Sequence, residues 1–231
     1  MVGRPLSTRM TEEATIRKRL IPLAAIGLLL AFGLPELGLA KTIFGATPIG
    51  ARIGREIVWI AFAAIILLWV TKVEKLPLSS IGLIKPTRGT FGWGLAATIA
   101  LLATIMLSFA VIAPALGLGQ NMAATAAVVQ VPLWLLITTP IVAGITEEIL
   151  YRGYAIERLT FLTGNRWLAA IIAGVLFLLL HLSWGGAQMI IVAFGTVIFV
   201  GLYLWRRDLP CVMLAHILAD LIGFTLARAQ T

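Results

Sequence analysis

The feature that most constrains this chain is a succession of apolar segments too long and too uninterrupted for a soluble core. One of them, residues 128–145, carries no charge and then ends in Thr146-Glu147-Glu148-Ile149-Leu150-Tyr151-Arg152-Gly153. Hydrophobic residues make up 60% of the 231, charged residues only 12%, and the mean hydropathy is +1.02. A soluble domain of this length cannot hide so much apolar surface, so lipid must be the solvent for much of it. The fold class expected is therefore all-α, a polytopic transmembrane helical bundle.

Seven segments read as spans, at about 20–34, 53–70, 91–116, 128–159, 167–182, 187–205 and 209–226, within a range of six to eight set by window choice. The third has a breaking point at Pro114. The fourth is longer than a straight span needs, which implies tilt or a kink. The organisation expected is a basic cytosolic tail (1–19), N-terminal transmembrane helices with a linker (20–127), and a core of four transmembrane helices (128–231). The basic tail and first apolar run also have the layout of a signal peptide, with Gly38-Leu39-Ala40 as its cleavage site. The further spans favour an uncleaved anchor.

Of the 18 Lys and Arg, thirteen fall in the tail or on loops sharing its side. Lys41, Arg52, Arg55 and Arg228 fall on the other side, and Arg152 lies within a span. That asymmetry puts the N-terminus in the cytosol and the C-terminus outside, in a cell inner membrane. It also explains the net charge of +8 without nucleic acid as a partner. All seven tryptophans lie near expected span ends, as an interfacial belt requires. The linker 72–94, with Pro77, Gly82, Pro86, Gly89 and Gly92, reads as a punctuated loop with a short interfacial helix. Cys211, the lone cysteine, has no partner for an internal disulfide and reads as a small apolar filler.

Charges at membrane depth are costly, so they are usually paired and functional. On a helix Glu148 and Arg152 share a face and are positioned to pair, whereas Glu147 points elsewhere and has no cation close by in sequence. Desolvation there suits Glu147 to act as a general base near neutral pH. His181 ends the fifth span in Phe177-Leu178-Leu179-Leu180-His181. His216 opens the last one, four residues before Asp220. For a single histidine, an interhelical hydrogen bond is the plain alternative to a functional role. Antiparallel packing of the fourth and fifth spans brings Glu147 and His181 to similar depth. His216 sits only about two turns from the inner loop at 206–208, which puts it at a different depth from His181.

Taken together, Glu147-Glu148-xxx-Arg152, Phe177-xxx-His181 and His216-xxx-Asp220, in order on late spans, resemble the CPBP family. That family contains the CAAX prenyl proteases of the Rce1 type and the bacteriocin-processing Abi proteins. The motifs cover about 146–223, and Ser80-Ile81-Gly82-Leu83 is similar to the family's linker. The resemblance implies an intramembrane endopeptidase whose catalytic core is 128–231. Glu147 would activate water with His181 assisting, and His216 and Asp220 would stabilise the oxyanion. Glu148, with Arg152 and Phe177 in support, would fix the geometry. Asparagine is common where this chain has Asp220, and an ionised aspartate cannot donate to an oxyanion. Asp220 must then be protonated, orient His216, or bind a metal. Glu147, His181, His216 and Asp220 have the donor types of a zinc site, so metallo- and glutamate-dependent mechanisms both stay open.

The partners expected are membrane lipid and a peptide or protein substrate, either prenylated or a bacteriocin-like precursor. Two other functions compete. One is a non-catalytic immunity or binding protein of the same fold. The other is a proton-coupled transporter, for which no half-to-half repeat is found.

Overall fold

In the computed structural model, residues 6–33, 39–45 and 47–230 are described, and among them every regular element is helical. The fold is the all-helical bundle expected. Arg4 of the basic tail and Gly38 of the alternative cleavage site lie outside the described residues. Helix α1 (Leu6–Gly33) begins in the basic segment and runs on into the first apolar run, followed by the short α2 (Leu39–Phe44). The remaining helices are α3 (Pro48–Val73), α4 (Arg88–Ala115), α5 (Met122–Val129), α6 (Leu133–Thr163), α7 (Arg166–Leu179), α8 (Gly186–Arg206) and α9 (Leu209–Arg228).

Five of these, α3, α4, α6, α8 and α9, are long and apolar enough to cross a membrane. Each matches one of the seven expected spans. The segment expected at 167–182 holds only the 14-residue α7. At 1.5 Å per residue that is about 21 Å, short of a hydrocarbon core of about 30 Å.

Local chemistry sets the boundaries. Thr87 and Thr90 form a reciprocal capping box at the start of α4, and Asn165 caps α7 directly after Gly164 in the left-handed conformation. Asp208 caps α9 by accepting from the Cys211 N–H. The chain does not break at Pro114. Wide π turns at Ser108–Ile112 precede the proline, and the helix continues to Ala115. The altered hydrogen-bond register absorbs the donor that proline lacks. In α6 a π segment, Glu148–Ala155, interrupts the helix, and all eight of its residues are buried.

The tryptophan belt has an exception in Trp59, which is buried in the body of α3. Trp93 and Trp205, both exposed, meet edge to face at 4.7 Å. The linker helix also differs from expectation. It is a single 3-10 turn, Leu78–Ile81, and Ile81 is fully buried rather than interfacial. Gly82, at φ +73°, then lets its carbonyl accept from the Leu209 N–H at 2.8 Å. The loop thus tucks under the start of α9, which packs against both α4 and α6.

An ionic knot locks the same end. Arg158 donates to Glu74 Oε2 from Nε at 2.9 Å and from Nη2 at 2.7 Å, to Glu74 Oε1 from Nε at 3.1 Å, and to Ser80 Oγ at 3.1 Å. The Tyr154 hydroxyl donates to Glu74 Oε1 at 2.8 Å, and Glu74 is fully buried. Removing one partner strands the other charge. Glu74→Ala is therefore expected to destabilise the fold by about 3–5 kcal/mol, read as a lower unfolding midpoint in micelles. Glu74→Leu combined with Arg158→Met is expected to restore most of that midpoint.

Candidate active site

A cavity of about 220 Å³ opens among α3, α4, α5, α6, α8 and α9 and the end of α7. Glu147, His181, His216 and Asp220 all line it, so four residues from three motifs share one space. The depth mismatch expected between the two histidines does not keep them from one cavity. Helix α7 stops at Leu179, so His181 lies on a turn inside the bundle, just before the 3-10 turn Leu182–Trp184. The turn into α9 is packed against the rest of the bundle, with Asp208 and Leu209 both buried, and His216 reaches the same cavity from α9.

Glu148 is the hub. Its Oε1 accepts from Arg152 Nη1 at 3.0 Å and from His216 Nδ1 at 2.7 Å, and its side chain is fully buried. The Arg152 guanidinium lies 4.0 Å over the Phe177 ring and 5.3 Å from that of Phe199. Phe199 in turn stacks on His216 with centroids 4.8 Å apart. Aromatic faces and one carboxylate therefore take the place of water around the cation. The His216 Nε2 faces Asp220 Oδ2 at 3.4 Å, too long for a strong hydrogen bond.

His181 has a defined tautomer. Its Nδ1 lies 2.9 Å from the Phe177 carbonyl oxygen, which can only accept. Nδ1 therefore carries the proton, and in the neutral ring Nε2 keeps the lone pair. The ring is held between Phe177 and Trp184, with centroids 4.7 and 5.0 Å away.

Glu147 is buried, and its cation comes from another helix. Arg55 of α3 places Nη2 3.9 Å from Glu147 Oε1. One turn earlier Arg52 donates to Thr139 Oγ1 at 3.3 Å and pairs with Glu56 Oε1 at 3.4 Å, and Thr139 donates to that same oxygen at 3.1 Å. Counting Arg52 and Arg55 as flanking charges missed this network, because both lie within α3 and line the cavity. The available signal was Arg52-xxx-Glu56, a helical ion-pair spacing at the start of an apolar run.

The donor set does not assemble as a zinc shell. Among the described residues, no three His, Cys, Asp or Glu side chains come together as a metal-binding group. His216 is committed to Glu148 through Nδ1 and turned to Asp220 through Nε2, and Glu147 is turned to Arg55.

Residues 129–222 match the family model described as type II CAAX prenyl endopeptidase Rce1-like. No curated protein and no solved structure gives a significant match to the chain.

The hub depends on close approach of α6 and α9 at Gly144. A Cβ there would lie 2.5 Å from Ile217 Cγ1 and 3.0 Å from the Ile217 backbone nitrogen. Gly144→Ala is expected to push the helices apart beside His216 and cost about 1–3 kcal/mol, with Gly144→Val worse. Unfolding midpoints of the two variants check this; an unchanged pair would mean the contact is slack.

Proposed function

We propose that this chain, whose residues 129–222 match the type II CAAX prenyl endopeptidase Rce1-like family model, is an intramembrane endopeptidase driven by Glu147. The observation that carries the reading is the shared cavity, where Glu147, His181, His216 and Asp220 face one space inside an apolar bundle. The family match and the five helices long and apolar enough to cross a membrane support an integral membrane protein acting on a peptide or protein substrate. The excess of Lys and Arg on the loops joining α3 to α4, α6 to α7 and α8 to α9 supports a cytosolic N-terminus in a cell inner membrane.

Glu147 takes a proton from water held with His181 Nε2, and the hydroxide attacks the scissile carbonyl. The His216 Nε2 side stabilises the resulting oxyanion, while Glu148 holds the ring from Nδ1. Asp220, 3.4 Å from Nε2, acts as the counter-charge that orients His216 rather than as a donor. As the C–N bond breaks, Glu147 returns its proton to the leaving amine. In this reading no step passes through a metal. The substrates this reading favours are prenylated peptides, with bacteriocin-like precursors as the second class.

Glu147→Gln is expected to lower hydrolysis of a fluorogenic prenylated peptide by at least about a hundredfold with an unchanged unfolding midpoint. Full activity in that variant would leave a non-catalytic binding or immunity role, or transport, as the better reading. Activity is also expected to persist in chelator; loss that added zinc reverses would return the four residues to metal chemistry.

A further inference from the structure

Arg55 is a charged cavity residue to which the reaction above gives no task. Its side chain is 35% exposed, in a wall otherwise built largely of residues such as Leu101, Ile105, Phe109 and Val192. Among the described residues it makes no hydrogen bond, and its single ion pair, to Glu147, is long at 3.9 Å. Its neighbour Arg52 is by contrast engaged with Glu56 and Thr139. An arginine within a spanning helix normally has its fork of donors filled, and carboxylates match that fork two bonds at a time. Arg55 thus keeps its donors for something that enters the cavity. It lies outside residues 129–222, so the family match assigns it nothing.

We propose that Arg55 is a carboxylate anchor, binding a carboxylate group of the peptide substrate in the cavity beside Glu147. The proposal rests on the peptidase reading and adds a residue that selects the substrate. A carboxylate hydrogen-bonded to Arg55 is held close to Glu147, because the two side chains are 3.9 Å apart. An extended peptide advances about 3.3–3.6 Å per residue. The bond cut therefore lies close in sequence to that carboxylate. The group comes from the substrate's C-terminus or from an acidic side chain near the scissile bond. Without Arg55, Glu147 would repel it.

The test uses the full-length protein in phosphatidylcholine vesicles, so that no lipid anion competes. Three quenched S-farnesyl peptides with the same core are compared: a free C-terminal acid, its C-terminal amide, and the amide with glutamate as last residue. The wild type is expected to prefer the acid over the plain amide by about tenfold or more in kcat/KM, chiefly through KM, as a charge-assisted pair would give. Arg55→Gln is expected to bring the acid-to-amide ratio in kcat/KM to about one, whatever it does to cleavage of the amide itself, and Arg55→Lys to keep part of the ratio. If the glutamate peptide recovers the preference, a side-chain carboxylate suffices; if not, the terminus is required. Equal loss on acid and amide in both Arg55 variants would overturn the anchor and make Arg55 only a counter-ion for Glu147. Binding of the same peptides in the Glu147→Gln background, with and without Arg55→Gln, separates the two readings. Carboxylate-dependent binding without hydrolysis by the wild type would keep the anchor and sink the peptidase. Hydrolysis with no discrimination between acid and amide would do the reverse, and neither binding nor hydrolysis of any peptide would overturn both.

Discussion

One oxygen atom, Oε1 of Glu148, joins two helices through residues 68 positions apart in the chain. It accepts from Arg152 on its own helix and from His216 on α9, and all three side chains are buried. In so apolar a setting none of the three is tolerable alone, because an ionised group left without a partner costs several kcal/mol. Their mutual dependence fixes the relative position of α6 and α9 as packing alone would not. Phe177 and Phe199 extend the constraint to α7 and α8 through the face of the guanidinium and the ring of His216. The cavity inherits its shape from that arrangement.

The architecture was legible where periodic hydrophobicity reports burial in lipid, so five of the spans coincide with helices of spanning length. It was less legible where the chain departs from straight, fully crossing helices. The 14-residue α7 and the buried turn before α9 are tertiary outcomes, and together they bring His181 and His216 to one cavity. The Glu148–Arg152 pair could be read because its spacing is local. The Glu148–His216 and Arg55–Glu147 contacts could not, since each joins distant helices and neither leaves a periodic trace. Trp59 shows the same limit: an indole near a span end is either an anchor or core, and only packing decides.

The division of labour between the two halves of the chain follows from these contacts. Segment 129–222 contains Glu147, Glu148, Arg152, His181, His216 and Asp220, and so holds every residue given a chemical step. Helix α3, outside it, supplies the cations facing that cavity. The carboxylates and histidines of the cavity and the cations that face them therefore sit on different helices.

The change of helical register explains how two adjacent carboxylates serve such different ends. The α-helical part of α6 ends at Glu147, and the π segment begins at Glu148. Neighbours on any helix diverge, but here the divergence falls at a widening of the backbone, a feature frequent at functional sites. Glu147 is turned to α3 and the cavity, Glu148 to α9 and the core. Were both directed into the cavity, each would oppose ionisation of the other and neither would be held. Splitting them leaves one carboxylate locked by Arg152 and His216, and the other facing the cavity beside one long ion pair to Arg55.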